Sequence, residues 1–298
     1  MTKINFGGLP PEESALETSR FLILPVPYEE TVTYLRGTCK GPQAIIEASQ
    51  HVELYDEELN MEPYRAGIHT LPDVAPEKDP QHMMEKLAAR IAELHSTTRT
   101  LVTLGGEHSI TVGIIKGLKK HYPQLSVLNI DAHADLRNEY EGLKLSHACV
   151  ARRIYEMVPV VMVGVRSMSL EEAEFIREEE FPLYYASELM AGSSPWEEIV
   201  ERLSDTVYVS IDLDVFDPSL MPAVGSPEPG GLDWYKTLEL LRLVAERRRV
   251  VGFDVVELCP IEGLVAPDFL AAKLVYKMIG YISHFGEKTS SLREEKRG

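Results

Sequence analysis

The feature that most constrains this chain is a recurring run of uninterrupted apolar, largely β-branched residues. The runs are "RFLILPVP" (20–27), "RTLVTLGG" (99–106), "LSVLNID" (125–131), "VPVVMVGVR" (158–166), "TVYVSIDLD" (206–214) and "RRVVGFDVVEL" (248–258). Alternating runs would mark strands with one wet face, whereas continuous ones mark strands covered on both faces, the pattern of a parallel sheet. Helical patterns lie between them, among them "DPQHMMEKLAARIAELHS", "SITVGIIKGLKKHY" and "DWYKTLELLRLVAERRR". Parallel neighbours need crossover connections. With the weaker runs "AGIHTL" and "FPLYYA" included, the alternation predicts an α/β fold, a doubly wound, mostly parallel sheet of about eight strands. No Gly/Ser-rich linker and no internal repeat interrupts it, so residues 1–298 are expected to form a single domain, with a polar tail that frays from about 285.

Composition narrows the function. The 47 acidic and 30 basic side chains give a formal charge of −17. That balance repels nucleic acid and anionic lipid and attracts small cations. No run approaches the roughly 18 apolar residues of a membrane span, and the opening "MTKINFGGLPPEES" lacks the apolar centre of a signal peptide, so a cytoplasmic protein is expected. Cys39, Cys149 and Cys259 form no CxxC pair and are expected to be reduced thiols.

Ligands of an open parallel sheet bind beyond the carboxyl ends of its strands. Three of those ends carry costly residues: "GGEHS" follows "LVTL", "DAHADLR" follows "SVLNI", and "DLDVFDP" follows "VYVSI". A parallel sheet brings the three to one edge, with His108, Asp131, His133, Asp135, Asp212 and Asp214 among their residues. Extended residues alternate faces, so Asp131, His133 and Asp135 can point the same way, as can Asp212 and Asp214. Carboxylates so concentrated raise one another's pKa unless cations neutralise them. Four aspartates and two histidines, with no thiolate, suit Mn²⁺ or a similar divalent ion better than structural zinc. Ser109 is a plausible N-cap of the helix after "GGEHS", but that turn has no Lys to hold a phosphate and Glu107 would repel one. Cys149 and His147, two residues apart with no orienting partner, make a poor nucleophile pair.

"GGEHS", "DAHADLR", "SIDLDVFDPS" and "SPEPGGL", in this order, resemble the motifs of the ureohydrolases, the arginase and agmatinase family. The resemblance runs from "PYEETVTYLRGTCKGPQAI" (27–45) to "FDVVELCP" (253–260), and "SPEPGGL" with "LRNEYEGLKLSHACVARRIYE" is most similar to the agmatinases. It implies a three-layer α/β/α fold and two Mn²⁺ ions bridged by a hydroxide. His108, Asp131, Asp135 and Asp212 would hold the first ion; Asp131, His133, Asp212 and Asp214 would hold the second. His147 matches the family's proton-transfer histidine and Glu257 the carboxylate that anchors the guanidinium group. Ser226 stands where the family usually has Thr. Trimers or hexamers are implied as well.

The expected reaction is hydrolysis of a small cationic guanidinium substrate, agmatine first, to putrescine and urea. Aminopropylagmatine, guanidinobutyrate and arginine are the alternatives, with Glu139 and Glu141 offered to an ammonium tail. Two other classes compete: a single-zinc amide deacetylase, which would leave His108 and Asp135 idle, and a catalytically silent binding homologue.

Overall fold

In a computed structural model of the chain, residues 4–192 and 194–295 are described, with side chains described through Gly286. The eight strands are β1 (Phe21–Val26), β2 (Ile68–Thr70), β3 (Thr100–Gly105), β4 (Leu125–Ile130), β5 (Val160–Val165), β6 (Leu183–Tyr185), β7 (Thr206–Asp212) and β8 (Arg249–Val256). They form one sheet in the order β2-β1-β3-β8-β7-β4-β5-β6, and every pairing is parallel. The six strong apolar runs supply the inner strands. The two weak ones, "AGIHTL" and "FPLYYA", give the three-residue edge strands β2 and β6. Pro25 sits inside β1 without breaking the ladder because β2 pairs only with Phe21–Ile23 and ends before it reaches the proline.

Successive side chains of each strand feed opposite faces, which gives two separate apolar layers. The helices are α1 (Gly41–Ser49), α2 (Pro80–Leu94), α3 (Ile110–Leu118), α4 (Val150–Tyr155), α5 (Leu170–Glu178), α6 (Ala186–Met190), α7 (Trp196–Glu201), α8 (Trp234–Arg247) and α9 (Ala266–Glu295). On β4, Leu125 and Val127 join the core under α2 and α3, while Leu128 and Ile130 join the core under α8 and α9. The result is the three-layer α/β/α arrangement. Asp79 caps α2 and Asp233 caps α8, each carboxylate accepting a backbone N–H three residues on. Helix α9 continues as backbone to Glu295. The tail expected to fray from about 285 has its side chains after Gly286, and residues 296–298 altogether, outside the described residues. The three cysteines are unpaired, and no helix among the described residues is long and apolar enough to cross a membrane.

The strand order positions the site. The chain steps outward from β1 to β2, returns inward to β3, and then on the other side winds outward from β4 to β5 and β6; β7 and β8 fill the gap between. The crevice at such a reversal is where open α/β sheets bind ligands. Here the four central strands, β3, β8, β7 and β4, end in Gly105, Val256, Asp212 and Ile130, and each runs directly into one of the motifs.

Candidate active site

The turn after β3 sets the first donor. A Cβ on Gly106 would lie 2.1 Å from the Tyr28 carbonyl oxygen, so only glycine lets this turn pass. The Glu107 N–H then bonds Tyr28 O at 2.9 Å, and His108 follows, 1% exposed. Ser109, expected as a helix N-cap, makes no capping bond. Its backbone is helical, with φ −52° and ψ −25°, where a capping residue is extended, and its hydroxyl donates to the buried Glu107 carboxylate at 2.5 Å.

His108 Nδ1 lies 3.1 Å from Asp131 Oδ2, 3.3 Å from Asp212 Oδ2 and 3.5 Å from Asp135 Oδ2, yet it has no hydrogen-bond partner. Its tautomer follows from the far side of the ring. Ser210 Oγ donates to Asp254 at 2.7 Å, so toward His108 Nε2, 3.0 Å away, it can only accept. Nε2 therefore carries the hydrogen in the neutral ring, and Nδ1 turns a lone pair toward three carboxylates. Four acceptors converging on one buried point fit a cation and nothing neutral. Burial disfavours the imidazolium, but the three adjacent carboxylates of Asp131, Asp135 and Asp212 outweigh it and hold the His108 pKa well above its ordinary value. A proton is drawn to the position a metal ion would take.

A second set shares Asp131. His133 Nδ1 is 2.7 Å from Asp214 Oδ2 and 3.8 Å from Asp131 Oδ1. Burial opposes the charged ring, but the adjacent Asp214 and Asp131 carboxylates push its pKa up to about 11. Backbone amides orient the acids: His133 N–H bonds Asp131 Oδ1 at 2.7 Å, Ala132 N–H bonds Asp214 Oδ1 at 3.0 Å and Asp214 N–H bonds Asp212 Oδ1 at 2.9 Å. Burial first, then neighbouring carboxylates, raise Asp131, Asp212 and Asp135, the last to about 7. Donor atoms of His108, Asp131 and Asp212 lie within 4.8 Å of one another, as do those of Asp131, His133 and Asp214. Each trio fits a divalent ion, and Asp131 belongs to both. Asp135 approaches the first trio from the side.

Glu257 completes the floor. It follows β8 with φ at +67°, and Asp135 has φ at +49°; a left-handed conformation at non-glycine positions costs energy and here aims two carboxylates inward. Glu257 Oε1 accepts the His108 N–H at 2.6 Å, while Oε2 lies beside Gly225 at the cleft wall. Burial raises this carboxyl to about 8. The cleft, about 240 Å³, is lined by His108, Asp135, His133, Asp212, Asp214 and Glu257 at its base, with His147 and Ser226 on its walls. All nine residues singled out in the sequence thus converge here, since Asp131 lies beneath the cleft against His108.

The two glutamates offered to an ammonium tail lie outside this cleft. Glu139 and Glu141 are exposed and do not line the cleft; Arg137, Tyr140, Tyr34, Val32 and Met168 do. The loop turns those two glutamates to solvent because burying an unpaired carboxylate beside Asp135 would cost more than hydrating it. Sequence reasoning also passed over the residues that hold the ligands. Ser210 and Asp254 lie within the strands β7 and β8, their only signal being a polar residue in an otherwise apolar run. Arg166 spans two motif loops, donating to Asp214 O at 2.7 Å and Glu228 O at 2.8 Å.

A parallel sheet with a binuclear-type donor cluster at its switch point defines a class, and comparison with known proteins agrees. The sequence profile of the arginase family matches residues 19–280. The chain is 39% identical over 270 residues to an N(1)-aminopropylagmatine ureohydrolase of Synechocystis sp., covering 87% of this chain and 88% of that protein. It is 35% identical over 268 residues to an agmatinase of Pyrococcus horikoshii, covering 89% and 93%. The crystal structure of the agmatine ureohydrolase of Thermoplasma volcanium superposes with a TM-score of 0.86 at 28% identity, over 97% of each chain. The chain belongs to the arginase family. It is a hydrolase of the ureohydrolase type, acting on C–N bonds of amidines.

Proposed function

We propose that this enzyme removes urea from the guanidinium end of a linear cationic amine, with N(1)-aminopropylagmatine ahead of agmatine, and that residues 1–298 act as one catalytic domain. The observation that carries the reading is the shared cleft. The acceptor cluster at His108 and the Glu257 carboxylate open into the same 240 Å³ space, so a guanidinium anchored at one lies against the other. Sequence reasoning put agmatine first. The order is reversed because four aminopropylagmatine ureohydrolases, 36% to 39% identical, precede an agmatinase at 35%.

His108, Asp131, Asp135 and Asp212 would hold one divalent ion, and Asp131, His133, Asp212 and Asp214 a second. Mn²⁺ suits this hard oxygen-and-imidazole set. Such a pair supplies Lewis acidity and lowers the pKa of a shared water. Four aspartates against two dications leave the base near neutral, and Glu257, raised to about 8 without the ions, would ionise beside them and supply the negative charge available to the substrate. With Oε1 held by His108 N–H, its Oε2 accepts from the guanidinium and orients the carbon. Ser226, exposed on the rim, offers a hydroxyl to the chain of the substrate. His147 donates a proton to the departing amine. Burial lowers its pKa to about 4, so the ring is a neutral base at rest and readily gives up a proton it has taken. Tyr34, 73% exposed, and Tyr140 flank the outer cleft, where aromatic faces receive an ammonium tail. The assembly expected from the family, a trimer or hexamer, belongs to the same proposal.

Urea release measured in parallel from aminopropylagmatine, agmatine, guanidinobutyrate and arginine tests the assignment. The expected order of kcat/KM follows that list. A preference for arginine or guanidinobutyrate contradicts an amine substrate, and absence of turnover on all four contradicts the activity.

A further inference from the structure

Glu107 has no place in the chemistry so far, yet it is fully buried and meets four donors. Its Oε2 accepts the backbone N–H of Glu30 and of Thr31, each at 2.7 Å; its Oε1 accepts the Thr31 hydroxyl at 2.7 Å and the Ser109 hydroxyl at 2.5 Å. A carboxylate has about four acceptor positions, and here all are filled. The consequence is on Thr31. Its only hydroxyl hydrogen is committed to Glu107, so toward every other group it acts as an acceptor. Two groups of His147 meet it: the backbone N–H at 3.0 Å and ring Nδ1 at 3.3 Å.

We propose that Thr31, oriented by Glu107, is a positioning residue for His147: its hydroxyl accepts from Nδ1–H and thereby leaves Nε2 as the atom that exchanges protons in the cleft. The inference rests on the ureohydrolase reading and on the proton role of His147. A second contact fixes the ring plane. Tyr140 packs edge-on against His147, centroids 5.9 Å apart and planes at 87°. Ser146 Oγ also lies 3.4 Å from Nδ1, but its hydrogen is not committed elsewhere, so it follows the tautomer and does not set it. The arrangement repeats that of His108, where Ser210 and Asp254 fix the opposite tautomer by the same donor arithmetic. In both, a carboxylate takes a hydroxyl hydrogen and the hydroxyl then decides which ring nitrogen is free.

The test is a double-mutant cycle on metal-loaded full-length enzyme, with kcat and KM for aminopropylagmatine measured for Thr31→Val, Thr31→Ser, His147→Asn and Thr31→Val/His147→Asn, and melting curves to confirm folding. Thr31→Val is expected to lower kcat roughly tenfold or more, a share of what a positioned general acid contributes, with KM and metal content unchanged. Thr31→Ser restores most of the rate. In the His147→Asn background Thr31→Val has no further effect, because a residue acting through another is silent once that other is gone. Full kcat in Thr31→Val overturns the inference, as do losses that multiply across the cycle, which would mark a role in the fold alone. Undiminished kcat in His147→Asn overturns the proton role itself, and the inference with it. If Thr31→Val does not fold, Thr31→Ala enters the same cycle.

Discussion

Two clusters of buried charge in this molecule look alike in composition and behave in opposite ways. Between α9 and the loop before β2, Lys277 Nζ, 2% exposed, lies 3.1 Å from Asp56 Oδ2 and 2.6 Å from Glu58 Oε2, and the Tyr281 hydroxyl donates to Glu58 at 2.7 Å. Burial works against the ionised Glu58, but Lys277 and Tyr281 outweigh it and hold its pKa below the usual carboxylate value. At the carboxyl edge of the sheet, Asp131, Asp135, Asp212 and Glu257 are all raised. The difference is a cation. The first cluster carries its own in Lys277 and is complete as folded. The second has no ammonium or guanidinium among its acids, its two histidines are drawn toward protonation in its place, and it offers that place to ions from solution.

The comparison breaks if the Lys277 cluster proves dispensable. Lys277→Met leaves the fully buried Asp56 without its cation, while Glu58 keeps only Arg242, 3.3 Å away and half-exposed, and removing one member of a buried ion pair costs about 3–5 kcal/mol. Denaturant unfolding should show a loss of that size while metal content and kcat of the folded fraction stay as in the parent. Unchanged stability would mean that Lys277 neutralises nothing of consequence.

A smaller effect sharpens the other half. In the metal-free protein Asp135 is raised to about 7, Glu257 to about 8 and His133 to about 11, so above the ordinary histidine value of 6.5 the folded state binds more protons than the unfolded one. Stability then falls as pH rises. His147, lowered to about 4, acts in the opposite direction but only below 6.5. The melting temperature of chelator-treated enzyme should accordingly drop between pH 6.5 and about 9, and the drop should be shallower once Mn²⁺ is restored. A flat profile without metal would contradict the raised carboxylates.

Much of this was legible in the sequence, for reasons that particular residues make plain. The inner strands were visible because continuous runs such as "SVLNI" are covered on both faces. The edge strands β2 and β6 were only faint because three residues carry little pattern. The ligand aspartates stood out because each follows an apolar run at a spacing of two. What held them did not stand out. Ser210 and Asp254 acquire meaning only when β7 and β8 pair, at the Ser210–Asp254 register. Thr31 and His147 are 116 residues apart and meet through a loop that no local pattern predicts. That Glu139 and Glu141 are exposed and off the cleft was not legible, because charge type is readable from sequence and side-chain direction in a loop is not.

If two metal ions complete the acceptors around Asp131, elemental analysis will count them. Enzyme reconstituted with Mn²⁺ and freed of excess ion should hold two ions per chain by mass spectrometric elemental analysis, and Asp131→Asn should lose metal and urea release together while keeping its far-UV circular dichroism. A wild-type protein with one ion or none after reconstitution, or an Asp131→Asn variant that retains both ions and full turnover, would contradict the account.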